Sequence, residues 1–549
     1  MHNGGERFPD SLSEAWRSMM SKHDGKTYRP WEPQRYQQEA HSPAAKLPEG
    51  DLVFFLLDTV PRLDLRRFYA FYETETRGAP PFDPAMMVCL LLYAYCVGVF
   101  SSRKIALACE RNLAFLAIVG TERPDFRTIS DFRKQHLEAF KDVFVHVVRL
   151  AGETGLVKLG NVSTDGTKIQ GNASRHKAMS YGYMKKEVER LREEIETLVT
   201  AAYQQDEAEE AALGSRRGDE LPAELARRED RVAKIEEAMR RLEAQAKREA
   251  DAERQRRAEV DAERQRTGKT RQGKMPKAVD ETPADKAQTN FTDPELGIMR
   301  TNNKGWEYCG NAQASVDGAC QIILASDVVN EANDTQQAKP LAEATRANLT
   351  QAGIELPKDA SGAVQSIPAT LDNGYYSEAA VAALETCGFD PYIATGRQRH
   401  HAPQGEPPEA PATAKERMAA KVRTPAGKAV YARRKVIVEP VFGQIKEARG
   451  CRRFLLRGLQ NIRGEWRLVC LTHNLLKIWR YGGVLNAVEV GWGSCMGLRW
   501  PYAGRRGAEG PSWCYGDKVM SRAATHLGVQ STYQTRVQRA DNANSRTAS

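Results

Sequence analysis

The sequence predicts an α/β layer fold, preceded by an all-helical domain and interrupted by a long helical hairpin. Three observations carry this. Strand-like and helix-like stretches alternate from Trp306 to about residue 397, the pattern of a sheet covered by helices. Residues 51–156 show helical periods only. Residues 180–265 carry two heptad-like seams in a background of Glu, Arg, Lys and Ala, as an antiparallel hairpin requires.

Residues 1–50 are polar and rich in Pro, and read as a loose leader. MHNGGERFPD lacks the apolar stretch of a signal peptide. In the helical domain, FDPAMMVCLLLYAYCVGVF offers Asp83 as N-cap and Pro84 at the first helical position. That helix is apolar on nearly all sides and belongs at the centre of a bundle. The longest apolar run, Ala85 to Phe100, is short of the roughly 20 residues that span a bilayer. SSRKIALACERNLAFLAIVG reads as one helix ending at Gly120. SDFRKQHLEAFKDVFVHVVRLAGETGLV reads as another, with apolar residues at 132, 137, 140, 144, 147 and 148. Compact helices with exposed Arg and Lys suit a DNA-binding unit related to helix-turn-helix, and suit a plain accessory domain equally.

From residue 157 to 482 the chain reads as the α/β domain. VSTDGTKIQGNAS brings a strand, Val162 to Ile169, interrupted by Asp165-Gly166. The hairpin follows, with seams at Val188, Leu191, Ile195 and Leu198 and at Val232, Ile235, Met239, Leu242 and Ala246, and a turn at 213–222. Residues 266–290 read as a flexible basic linker. GNAQASVDGACQIILASDVVN gives two strands about Asp317-Gly318. A helix capped near Asn333 or Asp334 comes next. Strand, turn, helix and strand then run through AVQSIPATLDNGYYSEAAVAALETCGFDPYIATGR. Residues 400–428 suggest a loop, and Val430 to Trp479 a basic helical region. The tail, 483–549, has little periodicity and reads as disordered or foreign to the rest.

The net charge of the 549 residues is +9. Between Tyr431 and Arg480 there are twelve Lys and Arg against three Asp and Glu, so this segment holds the whole excess. Such a concentration suits a polyanion, above all a nucleic-acid backbone. The ten cysteines show neither CxxC nor zinc spacing and read as thiols of a reducing cytoplasm.

Asp165 lies in a strand. Asp372 follows the apolar SIPATL. Glu439 follows VIV, on or at the start of a helix. Each setting also has a bland reading, because Asp-Gly and Asp-Asn-Gly make turns and a Glu favours a first helical turn. Three carboxylates held rigidly at sheet ends would repel one another without a cation. Oxygen ligands suit Mg²⁺ or Mn²⁺, and a pair of such ions can clamp the attacking and leaving oxygens of a phosphodiester. Lys446, seven residues after Glu439, would share its helix face and meet a phosphate. Arg449, Arg452 and Arg453, with further arginines beyond them, extend the cationic surface. Tyr375, Tyr376, Trp306 and His473 read as packing residues ahead of any base or metal contact.

STDGTKIQGNAS, LDNGYYSE and VEPVFGQIKEARGCRRFLLRGLQNIRGEWRLVCLTHNLLK resemble the blocks of a bacterial insertion-sequence transposase of the DDE class. The resemblance spans about residues 50–480. It implies an RNase H-like catalytic core, with Asp165, Asp372 and Glu439 as catalytic and metal-binding acids. Tyr431, Arg434, Glu439 and Lys446 resemble the family's Tyr-Arg-Glu-Lys signature. The Arg-to-Glu gap is one residue longer here, so Arg433 or Lys435 are alternatives to Arg434. FYETETRGAPPFDPAMMVCLLLYAYCVGVFSSRKIALACERN resembles part of the family's N-terminal helical domain. The expected activity is metal-dependent cleavage of double-stranded DNA at the element's terminal inverted repeats, then 3′-OH strand transfer into target DNA. The resemblance also implies a homodimer in a synaptic complex, in a bacterial cytoplasm and on the nucleoid when DNA-bound. The rival readings are a metal-dependent nuclease that never rejoins, and an inactive DNA-binding protein.

Overall fold

A computed structural model describes residues 28–29, 31, 42–73, 80–213, 223–268, 275, 277–301, 305–396 and 413–489. The helical domain comprises Leu52–Thr59, Arg66–Glu73, Pro84–Cys96, Ser102–Arg111, Leu113–Val119, Phe126–Gln135 and Ala139–Glu153. Every residue of Pro84–Cys96 is buried, and each such Leu or Met contributes about 1.5–3 kcal/mol. The Asp83 carboxylate caps it, accepting from the Ala85 N–H at 2.7 Å and from the Tyr69 hydroxyl at 3.0 Å. Two helices read from sequence as continuous are each broken. Asn112 is extended and its side chain recaps the chain, accepting from the Ala114 N–H at 3.0 Å. His136–Glu138 separate the other pair, His136 being buried among Phe68, Phe71, Tyr72 and Phe132. The leader is docked where it is described: Trp31 is buried and its Nε1 donates to the Ile118 carbonyl at 2.8 Å.

The strands are β1 (Val162–Gln170), β2 (Ala178–Ser180), β3 (Gln288–Asn290), β4 (Gly297–Arg300), β5 (Trp306–Asp317), β6 (Ile323–Val329), β7 (Ile367–Leu371) and β8 (Phe389–Ile393). The main sheet is mixed. Its order is β4-β5-β1-β7-β8, with β6 also on β5. β1, β4 and β6 run antiparallel to β5, while β1, β7 and β8 are parallel. β1 is not interrupted at Asp165-Gly166, since Asp165 pairs with Ala314 and Gly166 with Gln313 in an unbroken ladder.

β7 covers β1 only from Val162 to Thr164. Residues 452–454 cover the far end of the same edge through the Gln170–Arg453 bridge. Between them, the edge of β1 from Asp165 to Ile169 carries no strand among the described residues. The site opens there.

The hairpin helices are Tyr181–Leu213 and Ala223–Thr267, closed at the base by the β2–β3 ribbon. Glu187 pairs with Arg231 at 2.7 Å and Glu194 with Arg228 at 3.1 Å, an antiparallel register. Tyr181, Met184, Val188 and Leu191 pack on Ile235, Ala238 and Leu242. Ile195 and Leu198, expected in the seam, are only half-buried. The turn expected at 213–222 lies, from 214 on, outside the described residues, as does part of the expected linker (269–274 and 276).

Helices Ala338–Gln351 and Glu378–Thr386 link the later strands. Two more, Ala414–Arg423 and Pro425–Ala432, occupy the later part of the stretch read as a loop. The reason is a capping box, with Thr413 and Glu416 each bonding the other's backbone N–H. Arg434–Gly443 continues into a π-helical turn at Gln444–Ala448. The last helix, Leu459–Glu489, packs on β6 and on Ala139–Glu153 and Pro84–Cys96. One apolar core therefore runs through both domains. That helix passes residue 482, and the tail from 490 lies outside the described residues. Among the described residues no helix is long and apolar enough to cross a membrane.

Candidate active site

Register sets the first two acids. Thr164 of β1 and Leu371 of β7 are partners in a parallel pair. The residue after each partner is an acid, Asp165 within β1 and Asp372 just past the end of β7. Asp165 stands inside β1, where the ladder to β5 holds its backbone. Asp372 is extended and opens the 3₁₀ turn Asn373–Tyr375. The third acid, Glu439, sits within Arg434–Gly443, a helix packed on β1 and β5.

All three converge on one guanidinium. Arg434 donates to the Asp165 carboxylate at 2.8 Å and approaches Asp372 at 3.7 Å and Glu439 at 3.5 Å. Its side chain is 12% exposed and that of Asp165 19%, whereas Asp372 and Glu439 are about half open, at 52% and 49%. The site is a shallow acidic cup with a buried floor. Arg433 and Lys435, the alternatives from sequence, are exposed, whereas Arg434 is turned inward onto the acids. Tyr431 lies beside it, the guanidinium 6.0 Å from its ring centre.

Burial raises the Asp165 carboxyl to about 6 from 3.8. Arg434 and the Gly166 N–H, at 2.8 Å, oppose this, and the charges of Asp372 and Asp334 add to it. A carboxyl raised on folding stabilises the fold while protonated. That contribution is complete below about pH 4 and is lost as pH rises through about 6. We expect the melting temperature in EDTA to carry this fall, and Asp165→Asn to remove it. An unchanged pH slope in the variant would contradict the assignment.

The remaining expected contacts divide. The Lys446 amine donates to the Lys168 carbonyl at 2.9 Å and to the Thr167 hydroxyl. It thus serves the uncovered edge of β1 and is not directed at an approaching phosphate. Burial lowers its pKa. Arg449 is a correction. It is buried, donating to the Val469 carbonyl at 3.1 Å and the Thr472 hydroxyl at 2.8 Å. It anchors the last helix and is not exposed for contact with DNA. Its neighbours Arg452 and Arg453 are exposed; the first pairs with Glu447 and the second donates to the Gly171 carbonyl at 3.2 Å. Tyr375 is fully buried, so it cannot stack on a base. His473 is buried against the Gln321 carbonyl, as a packing residue.

Sequence reading missed Asp334, which was read only as a helix cap. The helix starts at Ala338. The Asp334 carboxylate instead accepts from Asn311 and Gln313, each at 2.7 Å. The available signal was Asn311 and Gln313 themselves, two amides on one face of a buried strand that need polar partners.

Donor chemistry at the cup fits a hard divalent cation, because the acids present only oxygens and one guanidinium offsets one of three charges. Among the described residues no three His, Cys, Asp or Glu side chains stand close enough to share an ion as they are placed. The positive charge that the three acids share is that of Arg434. Two stretches of the chain match family models. Residues 41–135 match the one described as "Transposase domain (DUF772)", and residues 371–479 the "Transposase DDE domain". Asp372, Arg434 and Glu439 fall in the second match. Neither a curated protein nor a solved structure matches the chain.

Proposed function

We propose that this chain, which carries the transposase domains of an insertion-sequence DDE transposase, cuts DNA at the ends of its element and joins the freed 3′-OH to target DNA. One observation carries the reading: Asp165, Asp372 and Glu439, remote in sequence, meet around a single cationic side chain. The mixed sheet with helices packed on it supports an RNase H-like core.

Asp165, Asp372 and Glu439 would hold Mg²⁺ or Mn²⁺, with room in the donor set for two ions. Such ions polarise a phosphoryl oxygen and ease deprotonation of the attacking oxygen. In the first step water attacks phosphorus and the 3′ oxygen leaves as a free 3′-OH. That hydroxyl then attacks a target phosphodiester, forming a new 3′-O–P bond and releasing the target's own 3′ oxygen. Neither step needs a covalent bond to protein. β1 and β7 keep the acids in place, and Arg434 is the counter-charge they hold beforehand. Tyr431 flanks it. Arg452 and Arg453 stand exposed at the far end of the uncovered edge of β1, where a DNA backbone would lie. Two element ends must be brought together, which calls for a dimer.

The purified chain should be incubated with its terminal inverted repeats, target DNA and Mg²⁺. Joined product is the expected result. Cut ends without joining would leave a nuclease. Binding with no cut would leave an inactive DNA-binding protein. Either result would overturn the proposal.

A further inference from the structure

The acidic cup rests on a chain of buried polar groups that the proposed chemistry does not use. The Tyr375 hydroxyl donates to the Gln313 side-chain carbonyl. The Gln313 amide donates to the Asp334 carboxylate at 2.7 Å, and the same oxygen accepts from Asn311 at 2.7 Å. Asn311 also donates to the Glu331 carbonyl at 3.1 Å, tying in the loop after β6. Asn311, Gln313 and Tyr375 are fully buried. From Tyr375 through Gln313 to Asp334 the donors point one way and end on a carboxylate, so each link polarises the next.

This chain passes beneath Gly166. A Cβ there would lie 2.4 Å from Gln313 Nε2, 2.9 Å from Asn311 Oδ1 and 3.0 Å from the Asp334 carboxylate. The Gly of Asp165-Gly166 therefore does not serve a turn. It leaves the space through which β5 reaches the turn that Asp372 opens, Tyr375 being the last residue of that turn. The Asp334 carboxylate also lies against Gly374, 3.6 Å from where a Cβ would stand.

We propose that Asp334 is a positioning residue of the acidic site. Through Gln313 and Tyr375 it fixes the turn bearing Asp372 against the strand bearing Asp165. This rests on the reading of those acids as cation holders. Groups that orient ligand carboxylates typically carry 10–100-fold in metal affinity or activity.

The test uses the full chain and Mn²⁺, followed by electron paramagnetic resonance, beside cleavage kinetics on repeat DNA. Asp334→Asn and Tyr375→Phe should each weaken Mn²⁺ binding about tenfold or more. kcat should fall in step, with KM for DNA unchanged. Gly166→Ala should have the same effect by pushing the amides aside, and circular dichroism should show native folding. Should Asp334→Asn fail to fold, Tyr375→Phe decides, since it removes one oxygen. Mn²⁺ binding and kcat at wild-type level in Tyr375→Phe and Asp334→Asn would overturn the positioning role. If Asp165→Asn also leaves Mn²⁺ binding intact, the fault lies with the cation reading itself.

Discussion

Asp372→Asn should abolish cleavage of repeat ends, by at least about 10³-fold, while leaving the fold intact. The substitution keeps the size of the side chain and its place at the start of the Asn373–Tyr375 turn. It removes one of the three charges proposed to hold the cation. A divalent ion contributes several kcal/mol of transition-state stabilisation, and about 4 kcal/mol corresponds to that factor of 10³. Asp372 is half-exposed and approaches Arg434 at only 3.7 Å, so little folding energy depends on it. Melting temperature in EDTA should therefore stay near wild type while strand transfer disappears. Strand transfer at wild-type level would remove Asp372 from the site.

Arg434→Ala should act in the opposite order, on stability first. Asp165 is the most buried of the three acids and Arg434 is its 2.8 Å partner. Removing one member of a buried ion pair costs about 3–5 kcal/mol. The cup is half open at Asp372 and Glu439, so the lower end of that range applies. In EDTA the variant should melt several degrees below wild type. Mg²⁺ should close most of that gap, because the ion restores the positive charge that the acids have lost. The same variant should bind Mn²⁺ more tightly than wild type, since no guanidinium competes for the carboxylates. Scanning calorimetry with and without Mg²⁺ reads both effects. An equal loss of stability in EDTA and in Mg²⁺ would show that Arg434 only packs, and does not stand where a cation acts.

The three acids of the candidate site stood out in the sequence because an acid beside an apolar run is a local feature. SIPATL before Asp372 ends in β7, whereas VIV before Glu439 lies within the helix Arg434–Gly443; the β1–β7 register and the packing of that helix on β1 and β5 bring the acids together. Arg434 could not be separated from Arg433 and Lys435 by spacing. Only the helix phase, with Arg434 turned inward and its neighbours outward, decides between them. Arg449 failed for a related reason. In a run of cations, composition does not show which one is buried, and only the carbonyl of Val469 and the hydroxyl of Thr472 make burial tolerable. The Asp-Gly of β1 misled because the dipeptide favours turns, whereas here tertiary packing needs the glycine inside a strand. Asp334 was hidden by its sequence neighbours. Its partners lie 21 and 23 residues earlier, a separation at which local pattern is silent. Thr413 and Glu416 did carry a readable signal, the capping box.

The convergence of three carboxylates on one positive charge is tested most directly by Mn²⁺ binding to wild type and to Asp165→Asn in the absence of DNA. Asp165→Asn should lose at least about tenfold in affinity, as expected when an ion loses one of three charged ligands. Identical binding curves for the two proteins would contradict it.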